Sequence, residues 1–569
     1  MRLIEEAPEE KLLGNIYTPE PIADFILAWV MNGNQDYDIL EPSAGDGVFL
    51  RRAKEKRYRY RSMTAIELVE SEAEKITRLG LPRTTVKPVD FLAYCNRTKD
   101  RFDVAVGNPP FIRYQYFAQD QRAEAERIFL GASLKYSKLT NPWVSFIVGS
   151  SLLLKKTGKI GFVVPAEILQ VGYAAQLRNF LARFYNKIVI VSFKKLVFPP
   201  VQQEVILLLC EKTENGSHLI EHVEFEDADA LAKVDVTSLK SPHKRIDFKS
   251  NKWTFYFLDQ SEIDFIEKLL NDKRVPTFGE HARAEVGMTT GSNDYFTVPK
   301  ATIEKFGLSE YAKPMVGRSV QIPSAIFTTD DWKRNIELGA KAFFLLFPEM
   351  KELRRNEKAM EYIRSGESEK VNTKYYKTRI RDEWQIVPSA WPSAALFQRR
   401  NNVYPKLIVN QAGAYTTDTT HRVTLDMNVN QEAFVASYYN SLSLAFAEIC
   451  GRSHGGGALE LMPNEVERIL VPYDEKNAPI LKTIDAMLRN GKTIDEVLAY
   501  TDPIILKDGC GFSDAEVKMA NRIWKKLLDR RMKRGKGKNR AILSPRRTVH
   551  SVPKVGRKSR PPYRPSWAP

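Results

Sequence analysis

The chain has 569 residues, of which 43% are hydrophobic and 27% charged, an ordinary composition for a soluble protein of two to four domains. No apolar run reaches the ~18 residues that a membrane helix needs, and the segment Met1 to Lys11 is acidic, so we expect a cytoplasmic protein without a membrane anchor. The formal charge of +16 favours a polyanionic partner, but fourteen Lys and Arg residues and no acid lie in 530–569, which holds most of the excess.

Strands and helices alternate over the first two hundred residues. A helix is predicted to begin at Thr18-Pro19, because Thr caps a helix well and Pro suits its first turn. The strands predicted after it are 37–40, 63–66, 85–89, 103–107, 159–164, 188–193 and 205–210. Alternation of this kind indicates a doubly wound, largely parallel sheet, and we place its end near residue 215.

The later chain changes character three times. From 251 to 475 the alternation is lost and aromatic and basic residues are frequent, which indicates a separate mixed α/β domain. Residues 476–529 have helical patterns, and 530–569 is a basic tail that is either a disordered solvating extension or an arm that binds nucleic acid. Residues 1–250 then form the first domain, with 216–250 as a linker or minor strands.

A loop of small residues follows the first predicted strand. It consists of Glu41, Pro42, Ser43, Ala44, Gly45, Asp46 and Gly47. The loop lacks the Gly-x-Gly-x-x-Gly spacing of dinucleotide sites and the Lys of a phosphate loop, so its ligand should be less anionic than a pyrophosphate. S-adenosylmethionine fits, because its amino acid end can meet backbone amides while Asp46 or another nearby acid meets its ammonium.

Acidic and aromatic residues end the next two strands. Glu67 could accept hydrogen bonds from both ribose hydroxyls, and Asp90 with Phe91 could bind an adenine amino group and ring. Taken alone, Glu67 could be a solvated helix cap, Asp90 a turn residue and Phe91 a core residue. Their order on successive strand ends favours a cofactor site.

A rigid turn, Asn108-Pro109-Pro110-Phe111, follows the fourth predicted strand. Asn108 offers a carboxamide and the prolines offer fixed carbonyls, while Phe111 offers a ring, so the turn can hold a planar amino group. The same residues could simply form a tight turn. Because the turn contains no acid, base or nucleophile, its chemistry would be to orient an NH2 group for methylation. Phe198, after a later strand, is either a core residue or a second stacking wall.

These motifs, together with Tyr17-Thr18-Pro19, resemble in kind and order the N6-adenine DNA methyltransferases of gamma order, chiefly enzymes of type II restriction-modification systems. The resemblance covers roughly residues 12 to 212. A looser likeness to recognition domains of type II adenine methyltransferases continues at 286–294, 410–422 and 451–460. The resemblance implies a Rossmann-like S-adenosylmethionine-dependent methyltransferase sheet, a mixed α/β target-recognition domain at 251–475 and the basic C-terminal tail.

The resemblance also implies roles for individual residues. Those expected at the cofactor are Tyr17, Thr18, Pro19, Glu41, Ser43, Ala44, Gly45, Asp46, Gly47, Glu67, Asp90 and Phe91. Asn108 and the carbonyl of Pro109 would accept the two N6 protons of a flipped adenine, with Pro110 completing the catalytic turn. Phe111, where many relatives have Tyr, would stack on the base, and Phe198 would form the opposite wall.

The expected activity is transfer of a methyl group from S-adenosyl-L-methionine to N6 of adenine in double-stranded DNA, with base flipping and without a metal. We expect a monomer whose cognate restriction endonuclease, if it has one, is a separate chain. Two alternatives stay open. Protein-glutamine and RNA methyltransferases use a similar turn, and a catalytically inactive DNA-binding relative could keep the fold.

Overall fold

A computed structural model describes residues 17–33, 36–112, 114–198, 204–236, 239, 242–246, 252–454 and 456–535. Most of the basic segment, 536–569, lies outside these residues, so its expected disorder stays a prediction.

A nine-stranded sheet dominates the first 245 residues. Its strands are β1 (Tyr37–Glu41), β2 (Tyr60–Glu67), β3 (Thr84–Pro88), β4 (Phe102–Gly107), β5 (Leu154–Pro165), β6 (Lys187–Phe193), β7 (Val205–Lys212), β8 (Leu219–Phe225) and β9 (Lys244–Arg245). The spatial order is β3-β2-β1-β4-β5-β7-β6-β8-β9. The strands from β3 to β5 are parallel to their neighbours, and β7 lies antiparallel between β5 and β6. All the predicted strands are confirmed.

Helices cover both faces of this sheet. They are α1 (Glu20–Val30), α2 (Val48–Glu55), α3 (Glu70–Arg78), α4 (Phe91–Arg97), α5 (Gln119–Gly131), α6 (Pro142–Leu152) and α7 (Ala175–Phe184). Successive residues of a strand point to opposite faces, so Ile39 packs with α1 to α3 while Leu40 packs with α4 to α7. The doubly wound arrangement predicted from the strand and helix alternation is therefore confirmed.

Two boundaries in this domain differ from the prediction. The sheet does not end near 215, because β8 pairs parallel with β6 and β9 pairs with β8. These edge strands are half-exposed and rich in polar residues, so they lack the apolar signal of the central strands. Strand β5 also begins at Leu154, before the predicted residue 159. Most of its first residues are polar and partly exposed, so they lack the apolar pattern of the buried second half.

The second part of the chain contains three smaller sheets. Their strands are β10 (Ala282–Val286), β11 (Thr297–Val298), β12 (Ala312–Val316), β13 (Ile326–Phe327), β14 (Phe343–Leu345), β15 (Ala395–Gln398), β16 (Arg400–Asn401), β17 (Leu407–Asn410), β18 (Tyr415–Thr416), β19 (Thr420–Leu425), β20 (Arg452–His454) and β21 (Ala458–Glu460). The orders are β10-β19-β15-β17-β13, β11-β14-β12-β18 and β16-β21-β20. The expected mixed α/β architecture is confirmed.

Short helices connect these strands. They are α8 (Gln260–Leu269), α9 (Asn293–Phe296), α10 (Lys300–Phe306), α11 (Thr329–Glu337), α12 (Met350–Leu353), α13 (Glu357–Ser368), α14 (Val371–Lys374), α15 (Tyr376–Arg379), α16 (Gln431–Tyr438), α17 (Ser441–Cys450) and α18 (Pro463–Val466).

Helices end the described chain. They are α19 (Ile480–Arg489), α20 (Ile494–Asp502), a π-helical turn at Pro503–Gly509 and α21 (Asp514–Gly535). Helix α21 includes the first six residues, 530–535, of the predicted basic tail. Its residues Ile523 and Trp524 belong to the same continuous core as α4 to α7. The helices therefore join the core of the chain and do not form a separate appendage.

Candidate active site

The small-residue loop after β1 turns tightly beneath a cavity. Gly47 has φ +73°, and a Cβ atom at this position would lie 3.2 Å from Ile76 Cγ1, so glycine suits both the backbone and the space. The Ala44 N–H donates to Ile66 O at 2.9 Å, which fixes the loop on β2. The loop thus brings backbone close to a ligand at the carboxyl ends of β1 and β2.

Glu67, at the end of β2, organises the loop. Its Oε2 accepts a hydrogen bond from the Gly45 N–H at 2.8 Å, and its Oε1 accepts one from the Val69 N–H at 2.9 Å. Each carboxylate oxygen keeps a further lone pair. Glu67 can therefore hold the loop and still accept a hydroxyl donor from the cavity.

Glu41 is a buried carboxyl group on the floor of the same cavity. It is 1% exposed, and its Oε2 has no hydrogen-bond partner among the described residues. Burial, and then the negative charges of Asp46 and Glu67, raise the pKa of Glu41 well above its ordinary value, although Arg51 opposes this shift. A buried carboxyl oxygen without a partner among the described residues indicates a place for a cationic or hydrogen-bond-donating ligand group.

Asp46, which we expected beside a ligand ammonium, has a protein partner instead. Arg51 Nη2 lies 3.1 Å from Asp46 Oδ2, and Arg51 also donates to the Asp46 carbonyl. Of the two acids that border the cavity at this loop, Glu41 is thus the better acceptor for an ammonium.

Asp90 and Phe91 lie at the start of α4, on the other side of the cavity. Asp90 Oδ1 accepts from the Ala93 N–H at 2.9 Å and caps the helix, while Oδ2 accepts from Gln121 Nε2 at 2.7 Å. The Phe91 ring is buried and stacks on Phe146 with centroids 5.1 Å apart. Asp90 is therefore a helix cap and not only the turn residue that the sequence offered as an alternative, while Phe91 is a core residue as its alternative predicted; both residues also line the cavity.

The turn Asn108-Pro109-Pro110-Phe111 follows β4 and is tied directly to the loop. Ser43 Oγ donates to the Asn108 carbonyl oxygen at 3.3 Å. Asn108 and Pro110 line the cavity, whereas Pro109 is buried behind them. The predicted catalytic turn and the predicted cofactor loop therefore border one space.

The cavity has a volume of about 240 Å³, and most of the predicted site residues line it. The predicted residues that line it are Tyr17, Thr18, Glu41, Ser43, Ala44, Gly45, Asp46, Glu67, Asp90, Phe91, Asn108 and Pro110. The predicted residues outside its lining are Pro19, Gly47, Pro109, Phe111 and Phe198. Phe111 is half-buried and packs against the apolar cluster that contains Phe198, whose own exposure is 3%.

One wall of the cavity consists of residues that no sequence motif marks. It is formed by Ile112, Tyr116, Phe117, Gln121, Pro142 and Phe146. These residues follow the turn at 108 without any motif of their own. The only signal in the sequence is their position between the turn and the apolar helix α6.

A polar cluster behind this wall holds it in place. Asn141 Oδ1 accepts from the Tyr114 N–H at 3.0 Å, and Asn141 Nδ2 donates to Tyr173 Oη at 2.9 Å and to Glu167 Oε1 at 3.2 Å. Tyr173 in turn donates to Glu167. The cluster therefore ties the segment after the turn to the end of β5.

No three His, Cys, Asp or Glu side chains of the described residues are grouped so that they could bind a metal ion. Among the described helices, none combines the length and hydropathy of a membrane-spanning segment.

Both parts of the chain match known protein families. Residues 51–198 match the family model of the Eco57I restriction-modification methylase, and residues 250–506 match that of the C-terminal domain of type II methyltransferase M.Eco57I. The type II methyltransferase M.AccI of Acinetobacter calcoaceticus is 23% identical over 86% of this chain and 88% of its own length. M.HincII of Haemophilus influenzae is 26% identical over 44% of this chain, which spans less than half (45%) of that relative.

Two solved structures are similar at low identity. The type IIG restriction endonuclease BpuSI covers 92% of this chain, with 66% of its own chain matched, at 14% identity and a TM-score of 0.38. The DrdV–DNA complex covers 84% of this chain, with 57% of its own chain matched, at 12% identity and a TM-score of 0.48.

The sheet order, with helices on both faces and a cavity at the carboxyl ends of its strands, defines a doubly wound, Rossmann-like fold. A second, mixed α/β part is joined to it. The chain belongs to the type II restriction-modification methyltransferases.

Proposed function

We propose that this chain is a site-specific DNA methyltransferase that transfers a methyl group from S-adenosyl-L-methionine to N6 of adenine in double-stranded DNA. The observation that carries the proposal is the hydrogen bond from Ser43 to the Asn108 carbonyl, because it joins the loop and the turn at one cavity. A methyl donor on the loop would thus lie next to an amino group on the turn.

The cavity residues fit the cofactor. Glu41 would receive its ammonium, Glu67 its ribose hydroxyls and Asp90 its adenine amino group, while Phe91 would lie against the adenine ring. Thr18 and the backbone of 43–47 would border the methionine end, with Tyr17 and Pro19 beside them. When bound, the cofactor supplies an electrophilic methyl group on a sulfonium.

The turn would orient the acceptor. Asn108 Oδ1 and the Pro109 carbonyl would accept the two protons of adenine N6, which would favour a more tetrahedral nitrogen whose lone pair is available for methylation. Transfer would form one N–C bond and break one S–C bond, leaving a neutral thioether, and the proton lost from N6 would pass to water. Phe111 would stack on the base, and Phe198 would form the opposite wall after its buried ring becomes exposed.

The target adenine must leave the duplex to reach this turn, which costs a few kcal/mol and is offset by stacking and edge contacts. The second part of the chain, which matches a type II methyltransferase C-terminal domain over 250–506, would supply the sequence readout. This match favours DNA over the protein-glutamine and RNA substrates that a similar turn could serve. We further propose that the chain acts as a cytoplasmic monomer and that any cognate restriction endonuclease is a separate chain.

The direct test uses purified protein, labelled S-adenosylmethionine and duplex DNA. We expect N6-methyladenine in the digested product. Asn108→Ala should lower the rate by about 10³-fold, because one positioning acceptor is lost, while cofactor affinity stays near that of the unmodified chain. Asn215→Ala, at an exposed loop outside the cavity, is the matched control. Methylation of cytosine or protein but never of adenine would contradict the proposal.

A further inference from the structure

Residues 370–381 form a short basic and aromatic segment at the surface of the second part of the chain. It contains five Lys and Arg residues and no Asp or Glu. It forms helices α14 and α15 and the turn after them. Tyr376 and Ile380 are 62% and 54% exposed, so apolar side chains lie in water beside the cations.

Three exposed cations of this segment have no acidic partner among the residues that the structure describes. Lys374, Lys377 and Arg379 form no ion pair with any described residue. Lys374 Nζ and Lys377 Nζ instead lie 5.6 and 5.9 Å from the ring centroids of the neighbouring tyrosines. Other lysines of the same part, such as Lys333 with Asp330, are paired. Lys374, Lys377 and Arg379 are therefore exposed cations that no acid of the described residues pairs with.

The segment is nevertheless firmly seated. Thr378 is buried and donates to the carbonyls of Val371 and Tyr375. Arg381 Nη2 donates to Thr289 O at 2.9 Å. Gly291, with φ +90°, meets the segment so closely that a Cβ atom there would lie 2.9 Å from Thr378 Cγ2. The exposed side chains thus project from a platform that the loop 287–291 holds in place.

We infer that 370–381 is an element that contacts duplex DNA. Lys374, Lys377 and Arg379 meet backbone phosphates, and Tyr376 and Ile380 enter the groove between them. Cations without acidic partners attract a polyanion. Apolar side chains exposed among such cations indicate a surface that another molecule covers. The inference rests on the proposed function, in which duplex DNA is the substrate.

The charge role is tested with the triple variant Lys374→Gln, Lys377→Gln, Arg379→Gln in the full chain. Its affinity for a labelled duplex of mixed sequence is measured by fluorescence anisotropy over a series of salt concentrations. We expect binding at least tenfold weaker at low salt, and a slope of log affinity against log salt that falls by about 0.9 for each lost phosphate contact.

The matched control removes the same charge elsewhere. Lys54→Gln, Arg57→Gln and Lys99→Gln alter exposed residues without ion pairs near the amino ends of β2 and β4, the sheet edge opposite the cavity. This triple variant should keep the affinity and the salt slope of the unmodified chain.

The apolar role is tested with Tyr376→Ala combined with Ile380→Ala. Binding should weaken about tenfold while the salt slope stays unchanged, because no phosphate contact is lost. Unaltered melting temperature and S-adenosylmethionine affinity verify the fold of each variant. If the unmodified chain binds duplex and both 370–381 variants bind equally well, this inference alone is wrong. If the unmodified chain binds no duplex, the proposed function fails and the inference fails with it.

Discussion

Glu41 is the residue on which the proposed binding of the cofactor ammonium depends most. It is buried at the end of β1 with one oxygen unpartnered among the described residues, while its neighbour Asp46 is paired with Arg51. The sequence could indicate that an acid of this loop meets an ammonium, but not which one. The choice depends on the position of Arg51 one helical turn later, which brings its guanidinium onto Asp46.

Glu41→Gln should stabilise the empty protein and weaken cofactor binding. Because the folded-state pKa of Glu41 is raised, its stabilising contribution is present at low pH and is lost as pH rises through that pKa. Near neutral pH the variant should therefore have a free energy of unfolding about 1–3 kcal/mol larger than that of the unmodified chain, and it should unfold at a higher temperature. Its affinity for S-adenosylmethionine should fall at least tenfold.

Thermal unfolding from about pH 5 to 8, with and without S-adenosylmethionine, measures both effects. The unmodified chain should lose stability relative to the variant as pH rises. Glu214→Gln, at an exposed loop, is the control with the same charge change. Unchanged cofactor affinity in Glu41→Gln would contradict the assigned role.

At the scale of elements, the central strands were predictable and the site wall was not. β1, β4, β5 and β7 have apolar runs that end at Gly, Pro or an acid, and at β1 and β4 these features mark both the strand and the motif at its end. β8 and β9 are polar strands at the sheet edge, and the wall segment 114–117 is tied by a hydrogen bond that the Tyr114 N–H donates to the distant Asn141. Contacts between residues this far apart in sequence leave no local pattern.

Asn141→Ala tests whether this tie positions the wall. The variant loses the bonds to the Tyr114 N–H, Glu167 and Tyr173, which should cost about 1–3 kcal/mol of stability. Since Ile112 and Phe117 line the cavity, the KM for S-adenosylmethionine should rise several-fold, with a smaller change in kcat.

Tyr173→Phe is the milder comparison, because it keeps the bond between Asn141 and Tyr114 and removes one hydroxyl. It should change the KM less than Asn141→Ala does. Equal KM values for the unmodified chain and Asn141→Ala would show that the wall does not depend on this cluster.

At the scale of the whole molecule, helix α21 connects the nine-stranded sheet to the second part of the chain through ion pairs. Arg530 Nε lies 3.1 Å from Glu224 Oε1 on β8. Arg531, 2% exposed, pairs with Glu448 on α17, with Nε 2.9 Å from Oε2, and donates to the carbonyls of Asn402 and Gly457. Composition places 530 onward in a basic tail, but these two cations are structural because acids from distant segments surround them.

A double-mutant cycle on this buried pair measures the fastening. Arg531→Met should destabilise the chain by about 3–5 kcal/mol, because it leaves Glu448 buried without its cation. Burial raises the pKa of Glu448 even with Arg531 present, so Glu448→Gln in the Arg531→Met background should recover part of the loss. Denaturant unfolding of the four proteins gives the coupling energy, and strictly additive effects would contradict a direct pair.

The central claim, adenine N6 methylation of duplex DNA held by the turn at Asn108, is tested most directly inside cells. Methylation-sensitive sequencing of DNA from cells that express this single chain reports the base, the position and the sequence context together. We predict N6-methyladenine at one fixed sequence context, and its loss when the chain carries Asn108→Ala. DNA without N6-methyladenine from cells that produce folded, cofactor-binding chain would contradict the claim.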